Sequence, residues 1–237
     1  MQIINIHSFS MARNLLLFTL FALKIGLNVP RRSLEKVLSK HYYLHYTDES
    51  RLFVPFDSVQ NARMEKGTIN RNENYLVSKS NSGLGILEDS TCFYIDNSQR
   101  SIDVGPRSFI GNMLLLPLLD PYEIFNYAIN NRMEFQKYIE DGKLIYDFIS
   151  FKQDAPIISI VISFYNDDPD RFSIRLIYQQ FGDLRQDIVR YKFMERPAKG
   201  ASEKIADFLD FKNGRYLPKV AYKQFSFGNA YLIRPYK

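Results

Sequence analysis

A chain of 237 residues can bury the core of one sizeable domain, and a composition of 46% hydrophobic and 24% charged residues is globular rather than disordered or fibrous. The formal charge is +5, but Arg13 and Lys24 stand in the first 29 residues without an acid; the other 29 bases meet 26 acids, a net +3 too interspersed to argue for nucleic acid. One cysteine excludes an intramolecular disulfide, and 19 Phe with 16 Tyr and no Trp favour strands, whose pleated surfaces pack aromatic side chains well.

Arg13 precedes an apolar run from Leu15 to Leu23, broken by Thr19 and ended by Lys24. That length suits the core of an export signal and falls short of the roughly 20 residues of a membrane span. Residues 1–29 are read as a signal peptide starting at Met1 or Met11, and residues 30–237 as a single domain. No cysteine near the end of the run offers lipid attachment, so a free periplasmic protein is expected. The competing reading is a buried amino-terminal helix of a cytosolic protein.

Leu34, Val37, Leu38 and His41 predict a helix over Arg31 to Tyr43 that passes into a strand in the aromatic run His41 to Tyr46. Short strands follow at Arg51 to Phe56, Met64 to Asn70, Tyr75 to Ser80, Thr91 to Asp96 and Gln99 to Val104; Cys92 reads as a buried structural thiol. Ser108 to Leu119 is apolar all round and must be buried. Asp120 then offers an N-cap and Pro121 an N1 residue for a helix through Ala128.

From Met133 to Phe193 the pattern is an antiparallel meander. Asp141-Gly142 predicts a two-residue hairpin between Met133 to Glu140 and Lys143 to Phe151. Ile158, Ile160, Ile162 and Phe164 share one face with Phe172, Ile174, Leu176 and Tyr178 across the turn Asn166 to Asp170, and the opposite face reads as largely wet. Gln186 to Met194 alternates again, and Asn213-Gly214 predicts a hairpin before a run in which Pro218 marks an edge. The fold class is mainly β with a few helices (α+β): a strongly curved antiparallel sheet, an open half-barrel, with short helices over its concave face.

Chemistry is sparse. His41 and His45, at i and i+4, lack a third metal ligand, and a hydrolase built on either would lack an orienting group. Asn166 to Asp170 does not have calcium-loop spacing, Gly83-Leu84-Gly85 is too short for a phosphate loop, and no Gly-x-Ser-x-Gly elbow occurs. Glu134, Glu140, Asp141 and Asp147 read as a wetted face. No catalytic residue, metal or cofactor is expected.

The order of elements resembles the LolA/LolB-like superfamily of periplasmic lipoprotein-binding proteins. The resemblance is carried by Gly67-Thr68-Ile69 with Tyr75-Leu76-Val77, the hairpin Phe93-Tyr94-Ile95-Asp96 to Ile102-Asp103-Val104, the insert Asn112 to Phe125, and Phe135 to Phe151. The run Phe208 to Pro218 looks like the tail of exported β-rich Bacteroidetes proteins. The superfamily resemblance implies a half-barrel closed by helices over a hydrophobic cavity. The expected function is non-catalytic binding of lipid or lipoprotein acyl chains, with Leu115, Leu116, Ile160, Ile162, Phe164, Ile174 and Leu176 as the ligand-binding residues. Outer-membrane or other envelope proteins are the expected macromolecular partners. The alternative is an envelope interaction module with a filled core.

Overall fold

The computed structural model describes residues 28–52, 63–106, 119–152, 155–180, 183–195 and 203–228. Residues 1–27, the predicted strand beyond Leu52, and the apolar stretch 108–118 with Leu115 and Leu116 lie outside them.

The first helix, α1, spans Asn28–Leu38. It stops before the predicted end at Tyr43 because from His41 onward the chain alternates with period two: Tyr42, Leu44, Tyr46 and Asp48 are buried while His41 and His45 are exposed. Lys40 takes a positive φ of 59° at the reversal into β1.

Six strands then form a meander: β1 His41–Leu52, β2 Arg63–Asn72, β3 Tyr75–Ser80, β4 Gly83–Glu88, β5 Thr91–Asp96 and β6 Ser101–Pro106. Helix α2 spans Pro121–Asn130, with Asp120 as N-cap and proline in the first turn as predicted. A second meander follows: β7 Glu134–Glu140, β8 Lys143–Ile149, β9 Ile157–Tyr165, β10 Arg171–Gln180 and β11 Asp183–Met194.

The two meanders become one sheet because β11 pairs antiparallel with β1, from Tyr43 opposite Met194 to Leu52 opposite Arg185. The described residues end with α3 Ile205–Phe208, a separate hairpin of β12 Leu209–Lys212 and β13 Arg215–Pro218, and β14 Ser226–Gly228, which adds to β6 in parallel. The result is a curved sheet of twelve strands with β14 and β7 at its edges, so it is open rather than closed into a barrel. Both predicted tight turns form, with positive φ at Asp141 and Gly142 and again at Asn213 and Gly214.

Several expectations change. Strand β4 falls in a stretch that the sequence pattern leaves unassigned between the strands at Tyr75 to Ser80 and Thr91 to Asp96. A Cβ on Gly83 would overlap the Ile95 carbonyl oxygen of β5 and lie 2.8 Å from the Tyr94 hydroxyl, so glycine is there for close approach of two strands. Ile158 leaves the shared apolar face because the register shifts there: Ser159 pairs with Ile177, but Tyr178 pairs with Ile157, which is buried in its place. The turn Asn166 to Asp170 is not simply solvated. It receives α1, through Ser33 Oγ donating to the Pro169 carbonyl at 2.5 Å and Lys36 paired with Asp170 at 2.5 Å.

The second face is wet only over part of the sheet. On β3 to β6, Val77, Ile86, Phe93, Ile95, Ile102 and Val104 form a separate core with Ile205 and Leu209 of the tail. The tail is tied down by Tyr75 Oη donating to the Glu203 carbonyl at 2.6 Å and by a Lys79–Glu203 ion pair. Replacing Gly83 with alanine should lower the urea midpoint by the equivalent of about 1–3 kcal/mol without changing the denaturant slope. An unchanged midpoint would mean that β4 and β5 can separate without loss.

Candidate functional site

The main core covers one face of the sheet, and strand register aligns its side chains in rows. One row runs Leu144, Phe164, Phe172, Tyr191, Tyr46; the next runs Tyr146, Ile162, Ile174, Val189; a third runs Phe148, Ile160, Leu176. Ile160, Ile162, Phe164, Ile174 and Leu176, the five described residues of the predicted site, are therefore neighbours on one face, and all are buried. Helix α1 adds Leu34 and Val37 to the same core, and α2 adds Ile124, Phe125 and Ala128. Phe125 meets the Phe148 ring edge-on at 5.7 Å, and Phe172 stacks on Tyr191 at 4.7 Å.

The rows do not end under the helices. On edge strand β7, Phe135 lies opposite Phe148 and Ile139 opposite Leu144, so both belong to the apolar face. Yet Phe135 is 41% exposed and Ile139 51% exposed. Phe135 stacks on Tyr146 at 5.9 Å, and Lys137 lies over the same ring at 5.5 Å, an apolar shelf with a cation at its rim.

A buried charge cluster pins α2. Arg71 stands opposite Tyr42 on the apolar phase of β2 and is fully buried. Its guanidinium donates from Nη1 to Asp120 Oδ2 and from Nη2 to Glu123 Oε1 at 2.8 Å. Tyr42 Oη donates to Asp120 Oδ1 at 2.6 Å, while Asp120 also caps the helix by accepting from the Glu123 backbone N–H at 3.1 Å. The Tyr122 ring closes the cluster, 4.5 Å from the Arg71 guanidinium. Burial works against the charge on Arg71, but Asp120, Tyr42 and Glu123 outweigh it and raise the guanidinium pKa above the ordinary value.

At the other end of the face the apolar rows run into acids. The row through Ile174 and Val189 continues to Asp48 and Glu65, and the row through Leu176 continues to Asp187. Asp187 accepts from Tyr178 Oη at 3.2 Å. Glu65 accepts from the Ser82 hydroxyl and backbone N–H and lies 3.9 Å from Arg63. Asp48 is only 7% exposed, and among the described residues its Oδ1 has no hydrogen-bond partner. Burial, with the charges of Asp187 and Glu65 beside it, pushes the Asp48 carboxyl up to about 8; burial raises Asp187 as well, against hydrogen bonds from Ser50 and Tyr178 and the charge of Arg185.

Neither the Arg71 cluster nor the acidic corner was singled out from the sequence. The available signal is phase: Asp48 continues the buried alternation Tyr42, Leu44, Tyr46, and Asp187 continues Val189, Tyr191, Phe193. An acid on the apolar phase of a strand has to be accounted for. The residues that were considered for chemistry are dispersed. His41 contacts Asn72 at 2.9 Å on the exposed side of β1, His45 packs on Tyr43, and Cys92 is buried in the core. On a strand the i, i+4 spacing separates the two histidines by four rises of about 3.3 Å, too far to share a metal ion.

No protein-family model and no curated protein sequence matches the chain. Among solved structures, the YwiB protein of Bacillus subtilis aligns with 65% of this chain and 93% of its own at 8% identity and a TM-score of 0.27, which carries no argument about fold or function.

Two outcomes follow from the buried charges. Arg71→Met leaves Asp120 and Glu123 buried without their counter-charge, and urea unfolding should show a loss of roughly 3–5 kcal/mol. A loss below about 1 kcal/mol would mean that α2 is held by its apolar side chains alone. For Asp48 the folded pKa is raised, so the native state keeps a proton that the unfolded chain gives up. Stability from this group is full at acid pH and falls as pH rises from the ordinary carboxylate range to about 8. Thermal melts across that range should show Asp48→Asn gaining on the parent protein as pH rises; parallel curves would mean that Asp48 ionises without penalty.

Proposed function

We propose that the protein is an exported, non-catalytic binding protein that takes up the apolar chain of a lipid or lipoprotein against the apolar face of its open sheet. The observation that supports this is the incomplete cover of that face at β7, where Phe135 and Ile139 extend the buried rows into solvent. Because Arg71 holds the N-terminus of α2, the helix is not the part that yields; the ligand enters beside it, over β7 and β8. In this reading Ile160, Ile162, Phe164, Ile174 and Leu176 are the floor behind the entrance. Leu115 and Leu116, on sequence grounds alone, add apolar surface to make the site a lidded half-barrel. Each methylene taken from water contributes about 0.8 kcal/mol, so an acyl chain needs no specific chemistry to be held.

One observation favours a second reading, an envelope interaction module. Among the described residues strand β7 is hydrogen-bonded only to β8 and offers its other side as an edge to which a partner's strand can add.

Intact mass spectrometry separates the two. Protein purified gently from its native envelope should carry a stoichiometric lipid mass that organic extraction removes. The double substitution Phe135→Ser and Ile139→Lys, at half-exposed positions that tolerate polar side chains, should yield a folded protein without lipid. A bare mass for the parent protein would overturn the carrier reading in favour of the interaction edge.

A further inference from the structure

The acidic corner is not explained by apolar binding, and its members are not equivalent. Among the described residues, Glu65 has the Ser82 donors and Arg63, and Asp187 has Tyr178, Ser50 and Arg185. Asp48 lies between them, directly opposite Glu65 on β2 and one pleat from Asp187 on β11, with Oδ1 unpartnered in a site that excludes most water. A buried acceptor without a donor is expensive, and native structures rarely keep one without a use. Of the other charged groups beside it, Arg63 favours its ionised form and Glu49 opposes it, and the buried tyrosines Tyr46, Tyr178 and Tyr191 lie near enough to feel its charge. The side chain of Glu65 is 18% exposed, so the corner opens on that side.

We infer that Asp48, Glu65 and Asp187 form a binding site for an organic cation, a primary ammonium group, with Asp48 Oδ1 as the principal acceptor. Three considerations select this chemistry. The acids come from three different strands, and no three acidic, histidine or cysteine side chains among the described residues converge closely enough for a metal ion. An ammonium reaches further than a metal ion, since its N–H donors bond to oxygens at about 2.7–2.9 Å rather than at metal–oxygen distances of about 2.0–2.6 Å. Its three donors diverge and can reach carboxylates carried on different strands, whereas a planar guanidinium prefers both oxygens of one carboxylate. The methylene next to the nitrogen would rest on the tyrosine rings, where a cation is favoured.

Without a bound cation, burial and the neighbouring acids favour a proton on Asp48, so the ligand must displace it. This inference does not rest on the lipid reading, because the corner lies on β1, β2 and β11, away from the β7 entrance.

The test uses n-butylammonium as probe, with butan-1-ol, potassium and calcium as comparisons, in calorimetric titrations of the full chain from pH 6 to 9. The expected result is saturable binding of one n-butylammonium, tightening by about tenfold per pH unit below the Asp48 pKa and levelling above it. Titrations near neutral pH in two buffers of different ionisation heat should show release of up to one proton. Asp48→Asn should abolish binding. Glu65→Gln, at the open side and least able to disturb folding, should weaken it about tenfold and serves if the first variant fails to fold. The inference is overturned by absence of saturable binding at every pH, by equal binding of butan-1-ol, potassium or calcium, by binding without proton release, or by binding undiminished in a folded Asp48→Asn protein or in Glu65→Gln.

Discussion

The pairing of Arg71 with Asp120 and Glu123 puts a full positive charge inside the main core, and the N-terminus of α2 has to come to it. A guanidinium taken out of water is tolerable only if nearly every donor finds an acceptor in good geometry, and here two carboxylates and an aromatic ring share the task. The arrangement is mutually dependent. Asp120 is at once the helix cap, the partner of Arg71 and the acceptor of Tyr42, so the start of the helix, the second strand and the first strand are located against each other by one side chain. Apolar packing of Ile124, Phe125 and Ala128 is non-directional and would permit α2 to slide along the face; the charge cluster selects one position.

The seam between β1 and β11 is the second constraint. Each meander closes through local hairpins, but the seam pairs residues as far apart as Tyr43 and Met194 and so carries the closure cost of the chain between them. It also creates the acidic corner, since Asp48 and Glu65 belong to one half and Asp187 to the other. Neither half alone would bury them together.

This explains what the sequence could and could not convey. Hairpins governed by adjacent residues were legible: Asp141-Gly142 and Asn213-Gly214 turn as their φ requirements dictate, and Asp120-Pro121 starts α2. The apolar face of β9 and β10 was legible from period two, except at Ile158, where a bulge exchanges it with Ile157 and no local pattern announces the shift. Strand β4 was not assigned from the sequence, because Gly83 has no side chain to mark a face and serves instead as a close strand contact in space. The tail's role on the second face was hidden for a different reason: Ile205, Phe208 and Leu209 find Val77 and Phe93 only after the chain has returned across the sheet. Of the predicted ligand-binding residues, the five that are described share a face, and all are buried in one core with side chains of α1 and α2.

The two groups of buried charge illustrate how a structural use can be told from one directed outward. In the Arg71 cluster both acids face the base, Tyr42 donates to Asp120, and removing any member strands the others; that is the signature of a fold determinant. In the acidic corner like charges face each other across β1, β2 and β11, and the central carboxyl is left with an empty oxygen and a proton it would lose in water. If stability alone governed this position, Asn, Thr or Val would hold the strand without repulsion. The Asp48 carboxyl makes physical sense where something arrives to replace its proton, and the buried tyrosine rings beside it are suited to a group that is charged at its tip and apolar behind it.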